Sequence, residues 1–385
     1  MPKKPELALD VDGHLIGLRY PTYFIADIAA NHDGDLEKAK QLITLAKKAG
    51  ADAAKFQHFR ANKIVSKHGF ESIGKQLSHQ SKWKKSVYQV YQDASVPWSW
   101  TEELKRHSDR IGIHFFSAPY DIEAIDMLDP YVPAYKVGSG DMTWHESLKH
   151  IASKQKPIFL ATGASTTVEV EAAVQIITKI NPRLCLMQCN TNYTGSKENF
   201  KHINLNVLKT YLQKFPAVIL GLSDHTPGHA TVLGAVTLGA RAVEKHFTDN
   251  RKNVGPDHGF SMEPSDWQEM VERTRELEMA LGVEIKKVET NEEETILVQR
   301  RCCRAARAIQ SGEILKREDI DVLRPVKPGA YTASEIDQVV GKKAKCFIPQ
   351  GEALMKHFLI APFMASTPIQ KDEQVPRSSV LKEVH

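Results

Sequence analysis

The sequence of 385 residues predicts an α/β protein, a (β/α)8 TIM barrel followed by a small β-rich domain. Eight short apolar runs alternate with stretches of helical periodicity through the first three quarters of the chain. Such alternation is typical of parallel sheets, and eight repeats over about 250 residues favour a closed barrel over an open doubly wound sheet. A charged stretch then separates this region from short β-like segments around turns.

Each apolar run has the length of a buried strand of a parallel sheet. The predicted strands are YFIADIA (23–29), AAKFQHF (53–59), HFFSAP (114–119), AYKVGSG (134–140), PIFLATG (157–163), LCLMQCN (184–190), AVILGLSDH (217–225) and ARAVEKHFT (240–248). The first helical stretch between them places Leu36, Ala39, Ile43 and Ala46 on one face at three- and four-residue spacing. The connection at 60–113 is long and rich in lysine, serine and aromatic residues, so we expect an elaborated βα loop there.

Changes in composition predict the domain boundaries. We expect the barrel over residues 1–282, a linker at 283–296, a β-rich domain at 297–360 and a disordered tail at 361–385. The predicted linker begins a highly charged stretch (EIKKVETNEEETILVQR), and the segments RAARAIQSGEIL, EDIDVLRPVKPGAY and KCFIPQGEALM that follow it are short and β-like.

Composition excludes several functional classes. The composition is ordinary for a globular protein, with 42% hydrophobic and 25% charged residues. The net charge of +4 is too small to indicate binding to nucleic acid or to a membrane. No apolar stretch approaches the roughly 20 residues that span a bilayer, and the N-terminus lacks the apolar core of a signal peptide. The five cysteines fit neither a disulfide framework nor a structural zinc site, so we expect a cytoplasmic protein.

Two histidines lie where apolar runs give way to polar residues: His225 in GLSDHTPG and His246 in AVEKHFTD. Either one alone is readily explained as a polar residue leaving a strand. Two of them on successive strands favour a site, because the chemistry of a βα barrel collects at the C-terminal ends of its strands.

Charged side chains are predicted on the inner faces of other strands. Asp27 lies on the first strand, Lys55 and Gln57 share a face of the second, and Lys136 lies on the fourth. A charge inside an apolar strand costs free energy unless it is paired or useful. The structural alternatives are a capping or strand-pairing carboxylate for Asp27 and a snorkelling lysine for Lys55.

Further polar groups follow these strands. The segment GSGD after the fourth strand supplies Ser139 and Asp141, and its glycines would let backbone N–H groups approach a phosphate or carboxylate. The eighth strand places Glu244 and His246 on one face, and Asp257 follows in the next loop. Together these groups predict a site for a small anionic substrate and a divalent metal. Histidine ligands with open positions suit manganese, and magnesium is the alternative if carboxylates or waters complete the shell.

Several spaced motifs resemble the sialic acid (N-acetylneuraminate) synthase family. They are, in order, IADIAANHDGDLEKAKQLITLAKKAGADAAKFQ, YKVGSGD, LATGAS, GLSDHT and EKHFTD, and RRCCRAARAIQSGE resembles the opening of the family's C-terminal antifreeze-like (SAF) domain. The resemblance implies a transferase that condenses phosphoenolpyruvate with an N-acetylated amino sugar, N-acetylmannosamine or a related hexose. The products would be phosphate and a nonulosonic, sialic-type 2-keto acid.

The resemblance also implies roles for the charged groups. His225 and His246 resemble the metal ligands that polarise the aldehyde of the sugar, and Asp27 occupies the position of a catalytic carboxylate. Lys55 and Lys136 resemble the partners of the phosphoenolpyruvate carboxylate and phosphate.

The remaining positions that match the family are polar contacts to the substrates. They are Ser139 and Ser223 as hydroxyl donors, Asn190 as a phosphate contact, and Gln57, Asp141 and Asp257 as sugar contacts. Arg301 resembles an arginine that reaches into the barrel of a neighbouring subunit, which implies a domain-swapped homodimer.

The chain departs from the family pattern inside this site. Asp27 stands where the family usually has a glutamate thought to act in proton transfer and water activation, and GSGE is replaced by GSGD with Asp141. The segment QCNTNYTG lacks the usual register of the phosphate-binding asparagine, so Asn190, Thr191 and Asn192 are all candidates. These changes favour a variant acceptor sugar or altered phosphate handling.

Four alternatives stay open on the sequence. The acceptor could be a diacetamido-trideoxyhexose of the legionaminic or pseudaminic type. A metal-dependent sugar aldolase or isomerase would explain the histidines but leaves Lys55 and Lys136 without a task. A glycan-binding or scaffolding protein would use the SAF domain as its working part, and an inactive paralogue would have lost its chemistry.

Overall fold

The structure is a computed structural model and describes residues 7–361. The chain divides between Gly282 and Val283 into two compact units. The predicted disordered tail at 361–385 lies, except for its first residue, outside the described residues. Within the described part, each helix is too short or too polar to cross a lipid bilayer.

The first unit contains a closed barrel of eight parallel strands, which confirms the predicted fold. The barrel strands are β3 (Tyr23–Asp27), β4 (Ala53–His58), β5 (His114–Pro119), β6 (Tyr135–Val137), β7 (Ile158–Ala161), β8 (Leu184–Cys189), β9 (Ile219–Asp224) and β10 (Ala240–His246). Several strands end before the predicted boundary. After β6, for example, residues Ser139–Asp141 form a 3₁₀ turn, because the GSG segment leaves the extended conformation.

Helices cover the outside of the barrel. They are α1 (Leu36–Lys48), α5 (Thr101–Ile111), α6 (Ile122–Leu128), α7 (His145–Ser153), α8 (Thr167–Ile180), α9 (Val207–Lys214), α10 (Ala230–Thr237) and α11 (Pro264–Leu281). Helix α1 shows why they form: the Asp35 side chain caps its first turn by accepting from two backbone N–H groups. Its buried residues include the predicted Ala39, Ile43 and Ala46, which pack in the main hydrophobic core.

The connection between β4 and α5 holds three short helices, α2 (Ala61–Ile64), α3 (Lys67–Ser72) and α4 (Val87–Ala94). A small apolar cluster of its own holds this segment together, with buried Ala61, Val65 and Val87.

The barrel interior is apolar at the N-terminal ends of the strands. A hairpin of β1 (Leu9–Val11) and β2 (His14–Ile16) shares one core cluster with inward residues of the strands, among them Tyr23 and Phe159. Because this layer is filled by apolar side chains, the charged inner residues collect at the opposite, C-terminal ends of the strands.

The second unit is built from short elements around its own core. They are α12 (Glu293–Gln299), β11 (Cys302–Ala305), β12 (Ile320–Leu323), α13 (Ile336–Val339), β13 (Lys343–Ala344) and β14 (Leu359–Ile360). The strands pair antiparallel, β11 with β12 and β13 with β14. The segment interpreted as a linker contains a 3₁₀ turn at Thr290–Glu292 and the start of α12.

Candidate active site

Two lysines and two carboxylates form a buried network inside the barrel. Lys55 Nζ lies 2.7 Å from Asp27 Oδ2 and 3.7 Å from Glu244 Oε2, and Lys136 Nζ lies 3.1 Å from Glu244 Oε1. All four side chains are at most 5% exposed. The register of β3 and β4 explains the first contact, because it places Asp27 directly beside Lys55. The alternation predicted from the sequence therefore brings these charges together.

The network is electrically balanced. Burial would lower the pKa of Lys55, but the charges of Asp27 and Glu244 outweigh it and raise that pKa. Burial would likewise raise the pKa of Glu244, but the Lys136 and Lys55 ammonium groups hold it below its ordinary value. For Asp27 burial prevails over Lys55, so its pKa is raised. Asp27 is thus the member of the network whose negative charge is least stabilised.

The two histidines lie side by side at the rim. His246 is the last residue of β10, His225 follows the end of β9, and their ring centroids are 5.4 Å apart. The Nδ1 atom of His225 is 2.9 Å from the Asn190 carbonyl oxygen, so it donates there and leaves Nε2 as the ring's lone-pair nitrogen. His246 Nε2 lies 3.4 Å from Asp27 Oδ2, and its buried Nδ1 has no hydrogen-bond partner.

The electrostatic environments of the two rings differ. Burial lowers the pKa of His246 well below its ordinary value, and the charges of His225, Lys55 and Lys136 add to the effect. His225 is also buried, but its contacts to the Cys189 thiol and the Asn190 carbonyl raise its pKa. A neutral imidazole is the form that binds a metal, so His246 is held ready for that role.

A small cradle lies beside the lysines. Ser139 Oγ accepts a hydrogen bond from Gly163 N at 2.9 Å, and the buried Thr191 Oγ1 has no partner. A Cβ on Gly163 would lie 1.9 Å from Thr191 Oγ1 and 3.1 Å from Cys189 Sγ, so only glycine fits between the two strand ends. The unpartnered hydroxyl suits a bound oxyanion.

A cavity of about 380 Å³ opens at the same end of the barrel. Its polar lining comes from Gln57, His79, Tyr120, Ser139, Asp141, Thr191, Tyr193, His246 and Asp257, and an apolar wall comes from Phe59, Ile64, Trp83, Val90, Tyr91 and Ala94. A larger cavity of about 520 Å³ lies at the other end, beside His114 and Arg183, and the predicted site residues do not line it.

The two carboxyl groups that line this cavity have raised pKa values. Burial raises the pKa of Asp141 to about 6 and the pKa of Asp257 to about 6. Asp257 Oδ2 accepts from the Ala30 backbone N–H at 3.2 Å, which partly offsets the effect of burial. Within the described part of the chain neither carboxylate forms an ion pair, and the charges of His225 and Lys55 lower the pKa of Asp257 by less than burial raises it.

The structure places most of the predicted residues in this region. Gln57 donates to Asp27 Oδ2 at 3.2 Å, and Ser223 donates to Glu244 Oε1 at 3.2 Å. Ser223 thus contacts the charged network and not the cavity lining. Arg301 belongs to the second unit, where its exposed side chain donates to the Val322 carbonyl at 2.9 Å.

Of the three candidates after β8, only Thr191 lines the cavity. The Asn190 amide instead donates to the His202 carbonyl at 3.3 Å, and the Asn192 Oδ1 accepts from Thr194 and Asn199. Asn190 contributes through its backbone carbonyl, which orients His225. The loop turns after Cys189, and this turn decides which side chain points inward.

Sequence reasoning missed two residues of the site and gave a third no role. Glu244 was predicted to share a strand face with His246, but its contacts with both lysines were not. Cys189 could have been found from the same period-two pattern on β8. Tyr193 lies in an irregular loop with no periodic signal, yet its ring is 4.4 Å from that of His225 and 6.1 Å from that of His246.

Comparisons with known proteins identify the family of the chain. Residues 42–286 match the NeuB family, and residues 300–360 match the SAF domain. Human N-acetylneuraminate-9-phosphate synthase is 30% identical over 360 residues, which is 93% of this chain and 98% of the relative. The N,N'-diacetyllegionaminic acid synthase of Campylobacter jejuni is 33% identical, covering 84% of this chain and 96% of the relative.

A solved structure shows the same likeness. The N-acetylneuraminic acid (sialic acid) synthetase of Leptospira borgpetersenii, in complex with citrate, matches with a TM-score of 0.67 at 27% identity. The match covers 76% of this chain and 95% of the other. The resemblance drawn from the motifs is therefore confirmed: the chain belongs to the NeuB family of synthases and carries a SAF domain.

Proposed function

We propose that this chain condenses phosphoenolpyruvate with an N-acetylated amino-sugar aldose, giving a nonulosonic 2-keto acid and phosphate. Carbon 3 of phosphoenolpyruvate forms the new bond to the aldehyde carbon, water adds at carbon 2, and phosphate leaves. One observation carries this proposal: two buried lysines and two adjacent histidines lie in the same barrel mouth. The lysines would bind the anionic enol phosphate, and the histidines would hold a metal next to the aldehyde. The names of the relatives support the same reaction class.

Phosphoenolpyruvate would bind at the lysines. Lys55 and Lys136 supply positive charge for its carboxylate and phosphate, and Ser139 and the unpartnered Thr191 hydroxyl supply donors beside them. Charge-assisted hydrogen bonds of this kind are roughly twice as strong as neutral ones. Because Gly163 has no side chain, a phosphate oxygen can approach its backbone, where a Cβ would clash with Thr191 Oγ1.

The histidines fit a divalent metal. The buried Nδ1 of His246 has no protein partner, and His225 Nδ1 is engaged by a backbone carbonyl, the second-shell contact common for metal-bound imidazole. Within residues 7–361 no group of three or more metal-ligating side chains is assembled, so water and substrate would complete the shell. A transition ion such as Mn²⁺ suits two nitrogen ligands, with Mg²⁺ as the alternative, and would polarise the aldehyde oxygen.

Asp27 is the candidate for proton transfer. Its Oδ2 atom contacts Lys55, Gln57 and His246, so the carboxyl stands between the phosphoenolpyruvate anchor and the metal ligands. Glu244 holds the two lysines at fixed positions through its paired oxygens. Tyr193 packs against both histidine rings and would limit the access of water to them.

Gln57, Asp141 and Asp257 line the cavity next to the histidines and would hold the hydroxyl and acetamido groups of the sugar. N-acetylmannosamine or a related hexosamine is the proposed acceptor, and a diacetamido-trideoxyhexose is the alternative. The substrate reaches these groups at the open end of the barrel, where carboxylates accept hydrogen bonds from sugar hydroxyls and the Gln57 amide can donate and accept.

The proposed division of the chain is a barrel at 1–282, a linker at 283–296 and a SAF domain at 297–360.

The SAF domain suggests a domain-swapped homodimer in which Arg301 completes the barrel of a neighbouring subunit. Mixing equal amounts of Arg301→Ala and His225→Ala protein tests it: subunit exchange should restore about a quarter of the wild-type activity, because half of the dimers become mixed and each mixed dimer has one intact site. We also place the reaction in the cytoplasm, in line with the five cysteines being free thiols.

Omission experiments test the reaction. The full chain, loaded with Mn²⁺, is incubated with phosphoenolpyruvate and each hexosamine in turn, and phosphate is measured. Release should require the protein, phosphoenolpyruvate and the correct sugar together. Phosphate release that ignores the sugar, or no release from folded, metal-loaded protein with any aldose, would contradict the proposal.

A further inference from the structure

We infer that the acceptor sugar of this chain carries no phosphate group. This inference rests on the proposed function and narrows it, because the aldose synthases compared above include one named for a 9-phosphate product. It concerns the part of the 380 Å³ cavity that lies beyond the two lysines.

One wall of the cavity is apolar and comes from a single segment. Phe59, Ile64, Trp83, Tyr91 and their neighbours all lie in the connection between β4 and α5. The Phe59 and Tyr91 rings are 5.3 Å apart, and the Trp83 and Tyr91 rings are 6.4 Å apart. His79 also lines the cavity from this segment, but burial lowers its pKa, so it favours the uncharged imidazole. A phosphate dianion placed here would lose hydration without gaining a cationic partner, whereas the ring and methyl groups of an uncharged sugar would pack against the apolar side chains.

The facing side of the cavity is acidic. Asp141 and Asp257 both line it, and burial already disfavours their negative charge. A second anion on the sugar would add repulsion to this cost. Ser139 and Thr191 are already assigned to phosphoenolpyruvate, and the Gln57 amide that remains is a neutral hydrogen-bonding partner suited to hydroxyl and amide groups.

The described lining of the cavity also lacks the cations that a sugar phosphate would need. Among the described residues, the lining contains neither lysine nor arginine. Lys55 and Lys136 are paired with Asp27 and Glu244 and are assigned to phosphoenolpyruvate, so they are not available to a second phosphate. Recognition of phosphate commonly uses arginine forks or lysine, and the described lining of this cavity provides neither.

The test compares two acceptors on the full-length, metal-loaded enzyme. The specificity constant, kcat/KM, is measured for N-acetylmannosamine and for its 6-phosphate, and in parallel for a diacetamido-trideoxyhexose and its phosphorylated analogue. We expect at least a tenfold preference for the unphosphorylated member of whichever pair is consumed. An equal or higher kcat/KM for the phosphorylated sugar overturns the inference and leaves the condensation intact. No turnover of any acceptor would instead overturn the proposed function, and the inference with it.

A charge placed in the apolar wall provides the matched test. Val90 lines the cavity from α4, and Val90→Arg would supply the cation that the wall lacks. The ratio of kcat/KM for phosphorylated over unphosphorylated acceptor should rise at least tenfold. Val90→Met, which has similar bulk and no charge, should leave that ratio within twofold of the wild-type value. An unchanged ratio in Val90→Arg protein that retains activity would count against the charge argument.

Discussion

Lys245 and Asp224 form a buried ion pair on the outer face of the barrel, with Nζ 2.5 Å from Oδ2. Both side chains are at most 2% exposed, and the register pairs the two residues directly across β9 and β10. Asp224 precedes His225 and Lys245 precedes His246 in the chain. The pair therefore ties together the two strand ends that carry the proposed metal ligands.

Removing one member should destabilise the protein strongly. Lys245→Met leaves Asp224 buried without its cation, which typically costs about 3–5 kcal/mol in the free energy of unfolding. The double variant Lys245→Met/Asp224→Asn removes both charges and should recover a large part of that loss. Chemical denaturation of the three proteins checks the prediction, and a double variant no more stable than Lys245→Met would contradict the pairing.

Substitution of Asp27 should separate proton transfer from binding. Asp27→Asn keeps the shape of the side chain and removes its ability to transfer a proton, so we expect kcat to fall about 10²–10⁴-fold. The KM for phosphoenolpyruvate should change much less, and Asp27→Glu, which restores a carboxylate, should retain more activity than Asp27→Asn. Steady-state kinetics decides this, and an unchanged kcat in Asp27→Asn protein would exclude Asp27 from proton transfer.

The lysines should control the binding of phosphoenolpyruvate. A ligand that binds only the folded protein raises the melting temperature, and a concentration of 100 times Kd stabilises by about 2.7 kcal/mol. Lys136→Met should remove this protection, while Lys149→Met, on the barrel's outer helix α7, should keep it. Thermal shift measurements with and without phosphoenolpyruvate distinguish the two, and full protection of Lys136→Met would contradict the assignment.

The histidines should determine metal affinity directly. His246→Ala removes the ring whose Nδ1 lacks a protein partner, and we expect the Kd for Mn²⁺ to rise by at least about 100-fold, beyond the effect of losing a second-shell contact. His150→Gln is the control, since His150 lies on α7 and pairs with Asp126. Electron paramagnetic resonance of free Mn²⁺ measures both, and wild-type affinity in His246→Ala would place the metal elsewhere.

Asp141 should make stability depend on pH. Its pKa is raised from 3.8 to about 6 by burial, so the folded state holds its proton more tightly than the unfolded state. Stability from this group is present below about pH 4 and is lost as the pH rises through about 6. The loss should be on the order of 1–2 kcal/mol, given that the side chain is partly exposed.

The control for this pH dependence is Asp141→Asn, which has no proton to lose. Its unfolding free energy should fall less than that of the wild type between pH 4 and pH 7. Parallel slopes for the two proteins over this range would show that Asp141 titrates normally in the folded state.

Periodicity alone predicted the barrel and much of its charged interior. Alternation along β3 and β4 placed Asp27 and Lys55 on the same side, and the parallel register then makes them neighbours. The same pattern puts Asp224 and Lys245 on the outer face, but their pairing depends on the register between β9 and β10, which no single segment encodes.

Irregular loops account for what the sequence could not predict. Which of Asn190, Thr191 and Asn192 faces the cavity depends on a turn held by bonds to Asn199 and His202, several residues away. Tyr193 reaches both histidines for the same reason. The apolar wall depends on how the long connection between β4 and α5 folds back over the barrel. The spacing of apolar residues in that connection does not predict this arrangement.

Formation of the carbon–carbon bond is the central claim, and isotope transfer tests it most directly. The metal-loaded enzyme is incubated with uniformly ¹³C-labelled phosphoenolpyruvate and an unlabelled amino sugar, and the products are examined by mass spectrometry. We predict a 2-keto acid that contains all carbons of the sugar and the intact labelled three-carbon unit, formed in equal amount to phosphate. An unlabelled sugar isomer, or phosphate released alongside free labelled pyruvate, would contradict the account.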